Sequence, residues 1–313
     1  HGMGYRVQGS DISENYNTER LRSLNIPIMI GHHKHNIGEA AVVVVSSAID
    51  RQNVEIQEAR NRGLPVVPRA EMLAEIMALK PCIAVAGTHG KTTTTSLIAT
   101  LLTSAALDPT IVSGGIINAY GTNARLGQGQ WMVVEADESD GSFTKLPSQM
   151  AIVTNIDPEH MEHYGTEENL YHAFQRFLGQ IPFYGLGVVC ADHPVSYALS
   201  KDISDRRIMT YGLDEESDLQ GFNIIQKSDG TCFSLRFSQH FHRLCPLGPR
   251  EREIQNLHFP MFGTHNVQNA LAAITIAFEL GLSVEQVRLG LMSFEGVNRR
   301  FTHRGFFQEA TII

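Results

Sequence analysis

Long hydrophobic runs are missing from this chain of 313 residues. The longest apolar run, from Ala40 to Val45, is far shorter than the roughly 20 residues that span a bilayer, and no signal peptide is visible. The sequence therefore predicts no membrane partner. Because 42% of the residues are hydrophobic and 19% are charged, it predicts a globular protein of about two domains.

Cysteine and concentrated positive charge are also scarce. The four cysteines are far apart and show no C-x-x-C spacing, which favours reduced thiols and a cytoplasmic location; they are Cys82, Cys190, Cys232 and Cys245. The formal net charge is -8, and no cluster of Lys or Arg is present. Nucleic-acid binding depends on such clusters, so the sequence predicts no nucleic-acid partner.

Short apolar runs alternate with helical patterns in the first quarter of the chain, which is typical of parallel α/β units. A strand is predicted from Tyr5 through Gln8 into Gly9-Ser10-Asp11, and a buried strand over Ala41–Val45. Helices are predicted over Thr18–Leu24, Val54–Arg62 and Ala70–Leu79. Lys80-Pro81 then interrupts the pattern, so we expect a Rossmann-like first domain over residues 1–80.

A second α/β domain is predicted over residues 81–297. It opens with the apolar strand Cys82–Ala86, a glycine turn and a helix from Lys91 to Ser104. Further strands and helices follow, and the stretch from Gly187 to Pro260 is predicted to consist of short strands and turns. The fold class is therefore α/β, with a mainly parallel sheet and a smaller β-rich part.

The glycine turn has the composition of a phosphate-binding loop, Gly87-Thr88-His89-Gly90-Lys91-Thr92-Thr93. Backbone N–H groups at the start of a helix bind anionic phosphate when glycine allows close approach. Lys91 can reach the terminal phosphates of ATP, and the Thr92 hydroxyl can ligate Mg²⁺. Only two residues separate Gly87 from Gly90, so the loop is shorter than the common motif.

Acidic and histidine side chains follow the next strands. Strand Val133-Val134 ends in Glu135, which could hold Mg²⁺, although a solvated acidic turn is the alternative. His160 follows strand Ala151–Val153 and could complete a second metal site or contact a phosphate, although a structural histidine is the alternative. Because ligands bind outside the carboxyl ends of parallel strands, these groups are expected at one edge of the sheet.

Amides and arginines near the end of the chain are further candidates. Asn266 and Asn269 share one face of a predicted helix and could read an adenine edge or cap the helix. Arg299 and Arg300 could clamp a transferring phosphoryl group or lie free on the surface.

Taken in order, these motifs resemble those of the Mur ligase family. They are Gly-Thr-His-Gly-Lys-Thr-Thr at 87–93, Glu-Ala-Asp-Glu-Ser-Asp at 135–140, Thr-Asn-Ile-Asp-x-x-His-Met at 154–161, Gly-Thr-His-Asn-x-x-Asn-Ala at 263–270 and Gly-Val-x-Arg-Arg-Phe at 296–301. Together with Ser113-Gly114-Gly115 and the run at 121–125, they are most similar to the branch that joins L-alanine to UDP-N-acetylmuramic acid. The branch that recycles whole muropeptides is the nearest alternative.

The resemblance implies a mechanism in peptidoglycan precursor synthesis. ATP phosphorylates the lactyl carboxylate of the sugar, and the L-alanine amine displaces the phosphate. By motif, Lys91 neutralises the phosphates, Thr92, Glu135 and His160 hold Mg²⁺, and Arg300 contacts the γ-phosphate. The family's UDP-sugar site implies roles for Ser10, Asp11, Ser46, Ser47, Ala48, Thr122 and Asn123.

Compared with the family pattern, a first strand and its glycine loop are expected to be missing before His1, and residues 298–313 are expected to begin a truncated third domain. The resemblance therefore implies a fragment with little or no ligase activity. A nucleotide-binding module without catalysis is a second reading. An NAD-binding Rossmann unit is a third, since Asp11 follows a strand, but no G-x-G-x-x-G is present.

Overall fold

Parallel strand pairs form the first of two units in the computed structural model, which describes residues 1–297 and the backbone of residues 305–307 and 310–312. This unit spans His1–Ile76. Strand β1 (Gly9–Asp11) pairs in parallel with β2 (Ile28–Ile30), and β3 (Val43–Val45) with β4 (Val66–Pro68). The helices are α1 (Tyr16–Ser23), α2 (Val54–Asn61) and α3 (Arg69–Met77), with a 3₁₀ turn at Lys34–Ile37.

Two predictions for this unit need correction. The first strand occupies Gly9–Asp11 rather than Tyr5–Gln8, because the ladder starts where the Gly9 N–H donates to the Pro27 carbonyl. The strand predicted as buried is shorter and partly open, and Val44 is 43% exposed. Within the described residues, β3 has a ladder partner on one side only, β4, so a run of valines is not by itself a sign of full burial.

A ten-stranded sheet forms the second unit, Met77–Ile313. Its strand order is β14-β13-β12-β11-β10-β9-β5-β8-β6-β7. The strands are β5 (Cys82–Ala86), β6 (Thr110–Ile117), β7 (Thr122–Arg125), β8 (Met132–Glu135), β9 (Met150–Val153), β10 (Leu186–Cys190), β11 (Ile208–Gly212), β12 (Leu219–Lys227), β13 (Gly230–Phe237) and β14 (Glu253–Phe259). The strands from β12 through β6 in this order run parallel, while β7 and β13 are antiparallel to their neighbours.

Helices cover this sheet. They are α4 (Lys91–Ser104), α5 (Met161–Tyr164), α6 (Glu167–Gly179), α7 (Pro194–Asp202), α8 (Gln239–Leu244), α9 (Thr264–Glu279) and α10 (Val284–Met292). Helix α4 packs against α9 and α10, and α6 packs against α7 and β9. Their apolar faces and the strands form one buried core, which includes Val85, Leu97 and Ile274. Strand β5 and the loop that follows it therefore lie in the most rigid part of the unit.

The predicted α/β class and the mainly parallel sheet are confirmed. The stretch from Gly187 to Pro260, predicted as strands and turns only, also contains helices α7 and α8. Helix α7 begins with Pro194 at its first turn, which is a helix-start signal that the prediction passed over. Beyond Val297, β15 (Gly305–Phe307) pairs antiparallel with β16 (Ala310–Ile312). No helix among the described residues is long and apolar enough to cross a membrane.

Candidate nucleotide and metal site

The phosphate loop lies between the central strand β5 and helix α4, as predicted. Every residue of β5 is buried, and Gly90 caps α4 in a left-handed conformation without a side-chain hydrogen bond to the helix. The first N–H groups of this 14-residue helix therefore have no capping side chain. Together with the positive end of the helix dipole, they form a site for an anion.

The end of strand β9 holds this loop in place. The Thr88 N–H donates to the Asn155 carbonyl at 3.1 Å, and the His89 N–H donates to the Asn155 side-chain oxygen at 2.7 Å. The hydroxyl of Thr154 donates to the His89 carbonyl at 2.6 Å. The loop's shape is therefore fixed before any ligand binds, which lowers the entropy lost on binding.

Gly87 is required by the close approach of these two segments. Its φ is +130°, and a Cβ atom at this position would lie 2.1 Å from the Thr154 hydroxyl oxygen and 3.0 Å from the Asn155 carbonyl oxygen. Any larger residue would separate the loop from β9. The short spacing of the loop is thus matched to a neighbouring strand end that supplies hydrogen bonds.

Lys91 makes a buried ion pair with Glu138. Its Nζ lies 3.0 and 2.8 Å from the two carboxylate oxygens of Glu138, whose side chain is only 2% exposed. The same Nζ donates to the carbonyls of Gly87 at 2.6 Å and Thr88 at 3.1 Å. The lysine charge is therefore held against the backbone of the loop.

Protein groups rather than water surround the carboxylate of Glu138. Burial raises the pKa of its carboxyl, and the hydrogen bond and charge of Lys91 act in the opposite direction. The hydroxyl of Tyr164 donates to the Glu138 carbonyl, and His160 Nε2 lies 4.0 Å from the carboxylate. His160 itself has a left-handed backbone (φ 55°) at the start of α5, which turns the chain beside the loop.

Glu135 connects the first turn of α4 to strand β6. Its Oε1 accepts a hydrogen bond from the Thr92 hydroxyl at 2.9 Å. Its Oε2 accepts from the Ser113 hydroxyl at 3.1 Å and from the Gly114 N–H at 2.6 Å. The structure therefore brings two of the three predicted Mg²⁺ ligands, Thr92 and Glu135, into direct contact, while the third, His160, lies beside Glu138.

A cavity of about 490 Å³ opens beside the loop. Asn266 and Asn269 line it, together with Gly90, Thr93 and Tyr211. Neither asparagine caps α9, since the capping residue is Gly263 and makes no side-chain cap. Instead Asn266 donates to the Phe262 carbonyl at 2.8 Å, and Asn269 accepts from Thr94 at 3.3 Å. The volume is that of an ordinary small-molecule site.

The remaining predicted residues lie elsewhere. Ser10 and Asp11 are at the end of β1, and Ser46, Ser47 and Ala48 form an exposed turn after β3. Thr122 and Asn123 belong to the edge strand β7 of the second unit. Arg299 and Arg300 lie outside the described residues.

Three residues of the site were not predicted. They are Glu138, which pairs with Lys91, Asn155, which holds the loop, and Ser113, which orients Glu135. Each stands in a motif that the sequence made visible: the acidic run, the Thr-Asn-x-Asp segment and the Ser-Gly-Gly segment. Their roles depend on contacts between strands, which the order of residues in a motif does not specify.

The fold and the site define an α/β protein with a phosphate loop and a nucleotide-sized cavity. Sequence comparison agrees, since residues 85–277 match the Mur ligase middle domain and residues 1–81 match the Mur ligase family catalytic domain. The chain belongs to the Mur ligase family.

Curated relatives are similar over the full chain. It is 52% identical over 313 residues to the UDP-N-acetylmuramate–L-alanine ligase of Acidiphilium cryptum, covering 100% of this chain and 64% of the relative. It is 53% identical over 313 residues to the enzyme of that name from Rhodospirillum rubrum, again covering 100% of this chain and 64% of the relative. The chain thus spans somewhat less than two thirds of the length of these relatives.

Solved structures show the same fold. The UDP-N-acetylmuramate-alanine ligase of Thermotoga maritima superposes with a TM-score of 0.83 at 28% identity, covering 98% of this chain and 67% of that one. A UDP-N-acetylmuramate:L-alanyl-gamma-D-glutamyl-meso-diaminopimelate ligase from Neisseria meningitides gives a TM-score of 0.81 at 24% identity, covering 95% of this chain and 93% of that one.

Proposed function

We propose that this chain carries the nucleotide-binding machinery of a ligase that joins L-alanine to the lactyl carboxylate of UDP-N-acetylmuramic acid, driven by ATP. The observation that carries the proposal is the convergence of Lys91, the Thr92–Glu135 pair and His160 at the carboxyl ends of neighbouring strands. The names and 52–53% identities of the relatives support the choice of substrates. ATP and a nucleotide-linked sugar are cytoplasmic metabolites, so we propose a bacterial cytoplasmic reaction.

Phosphoryl transfer requires positioning and charge neutralisation more than covalent chemistry by the protein. In this proposal the N–H groups of the loop and Lys91 hold the terminal phosphates of ATP. The sugar carboxylate attacks the γ-phosphorus, ADP leaves, and the amine of L-alanine then attacks the acyl phosphate and displaces phosphate. Glu138 holds the Lys91 ammonium at the loop through their ion pair, which makes it a positioning residue.

The donor atoms around Thr92 fit Mg²⁺. A hydroxyl and a carboxylate oxygen lie 2.9 Å apart beside the phosphate loop, and Mg²⁺ is commonly held by one or two carboxylates together with substrate phosphates. Thr92 and Glu135 would hold the first ion and His160 a second. The ions would neutralise charge on the phosphates.

The remaining site residues are proposed to contact the nucleotide and the UDP-sugar. His89 and Thr93 would face the nucleotide, and Asn266 and Asn269 would read adenine in the cavity. Arg299 and Arg300 are proposed for the γ-phosphate by motif. We propose that the UDP-sugar is bound by Ser10, Asp11, Ser46, Ser47, Ala48, Thr122 and Asn123. The proposed domains span residues 1–80, 81–297 and 298–313.

A substrate panel on the longest natural polypeptide that contains this chain tests the proposal. ADP release is measured with ATP, Mg²⁺ and UDP-N-acetylmuramic acid, and with L-alanine, glycine, L-serine or a muropeptide tripeptide as acceptor. We expect the fastest release with L-alanine and none in a Lys91→Met variant. Tripeptide dependence would instead identify the recycling activity, and ATP binding without any acceptor-dependent release would identify a module that only binds nucleotide.

A further inference from the structure

Cys232 and His258 face each other on the antiparallel strands β13 and β14, where they are register partners. Side chains alternate along a strand, and their neighbours Phe233, Leu257 and Phe259 all point into the core. Cys232 and His258 therefore lie on the opposite, partly exposed face of the sheet. Sγ of Cys232 is 3.6 Å from Nδ1 of His258, which is within hydrogen-bond distance for sulfur.

Asp229 extends this contact into a chain of three groups. It stands in the turn between β12 and β13, and its Oδ2 lies 3.6 Å from His258 Nε2, on the far side of the imidazole ring. A carboxylate beside Nε2 favours the tautomer that carries its proton there, which leaves Nδ1 as the acceptor that faces the thiol. The order carboxylate, imidazole, sulfur is the arrangement that activates a cysteine nucleophile.

The side of Cys232 that faces strand β12 is also partly open to solvent. The register partner of Cys232 on β12 is Ile225, which is 57% exposed. Cys232 is itself partly exposed, so its thiol lies on the open face of the sheet rather than in the core.

The other three cysteines are in the opposite situation. Cys82, Cys190 and Cys245 are 2%, 4% and 1% exposed. Burial raises the pKa of Cys82 to about 12, of Cys190 to about 11 and of Cys245 to about 12. Buried thiols of this kind react slowly, and Cys190, which lines the cavity beside the phosphate loop, is the one of the three that a small reagent could reach. We expect Cys232 to react before it, because Cys232 is partly exposed.

We propose that Cys232, with His258 and Asp229, is a modification site for thiol–disulfide exchange with low-molecular-weight disulfides. The thiol proton passes to His258 Nδ1, and the thiolate attacks one sulfur of the disulfide. A new S–S bond forms at Cys232 while the disulfide's own S–S bond breaks, and the departing thiolate takes up the proton. The site is separate from the ATP cavity, so the inference does not rest on the proposed ligase activity.

Glutathione disulfide is the probe for the test. The native 313-residue chain is incubated with it near neutral pH, and the adduct is located by peptide mass spectrometry against time. We expect a single adduct on Cys232. We expect His258→Gln to slow its formation about tenfold or more, because the variant removes the proton acceptor beside the sulfur. Asp229→Asn should slow it to a smaller extent, because its carboxylate is 71% exposed.

His240→Gln is the matched control. His240 also pairs with an aspartate, Asp218, at 3.1 Å, but it lies on helix α8 rather than beside Cys232. The control should leave the rate at Cys232 unchanged. Asp229→Asn changes only an exposed turn, so it tests the proposal even if His258→Gln unfolds the chain. An adduct that forms first on another cysteine, or rates that are the same in wild type, His258→Gln and Asp229→Asn, would overturn the proposal.

Discussion

At the scale of single residues, the pair of Lys91 and Glu138 decides how the site behaves. Both groups are largely removed from water, and each is the other's only charged contact closer than 4 Å that the described part of the chain shows. A buried pair is a weak source of stability, because the charges lose their hydration. Removing one partner alone is costly, since the remaining charge stays buried.

Lys91→Met should therefore destabilise the fold as well as weaken ATP binding. We expect a loss of about 3 kcal/mol in the free energy of unfolding, as is usual when one member of a buried ion pair is removed. The double variant Lys91→Met/Glu138→Gln should recover most of that loss, because no buried charge is left unpaired. It should not recover ATP binding. Urea denaturation and calorimetric ATP titration measure the two quantities, and equal stability of the single and double variants would contradict the account.

The free energy of unfolding of the same variants should change with pH in a direction that the pKa of Glu138 determines. Burial raises the folded-state pKa of Glu138 above its ordinary value of 4.5. A raised pKa means that this group contributes most stability below about pH 4.5 and that the contribution is lost as pH rises through the folded-state pKa. Without Lys91 that pKa rises further. The urea midpoint of Lys91→Met should fall, relative to the double variant, as the pH rises above 4.5. Parallel curves would refute this origin of the instability.

At the scale of secondary-structure elements, strand–loop–helix units were predictable and their partners were not. Helix α4 occupies the predicted residues Lys91–Ser104, because the glycine turn before it is a local start signal and the stretch that follows contains no Pro or Gly. Helix α10 was not predicted. It packs against α4, and the capping box at Ser283 marks its first residue in the sequence.

Two helix glycines give a matched test of this packing. A Cβ at Gly290 of α10 would lie 2.7 Å from Leu101 Cδ2 and 2.7 Å from Ser104 Oγ, both on α4, whereas one at Gly179 of α6 would meet nothing within 4 Å. Gly290→Ala should lower the free energy of unfolding by about 1–3 kcal/mol through overpacking. Gly179→Ala should raise it by about 0.5 kcal/mol through helix propensity. Urea midpoints measure both, and a stabilised Gly290→Ala would show that α10 does not pack closely on α4.

At the scale of the whole molecule, the sequence predicted the architecture of the site better than its full set of contacts. The residues proposed to bind phosphate were predicted from the sequence, because phosphate binding requires particular residue types. These residues also follow the ends of parallel strands, which meet at one edge of the sheet. Glu138 and Asn155 were not, since their roles arise from the neighbours of β5 in the sheet, and strand order is not written in any single motif. The order of strands in the second unit then explains how distant motifs form one site.

The measurement that tests the central claim most directly is calorimetric titration of the 313-residue chain with ATP, with and without Mg²⁺. Wild type should bind ATP at least about tenfold more tightly with Mg²⁺, a difference of about 1.4 kcal/mol. Glu135→Gln should lose that dependence, because it removes the carboxylate beside Thr92. Glu253→Gln, which removes a carboxylate from the distant strand β14, should keep it. Absence of ATP binding in wild type, or the same Mg²⁺ dependence in Glu135→Gln, would contradict the account.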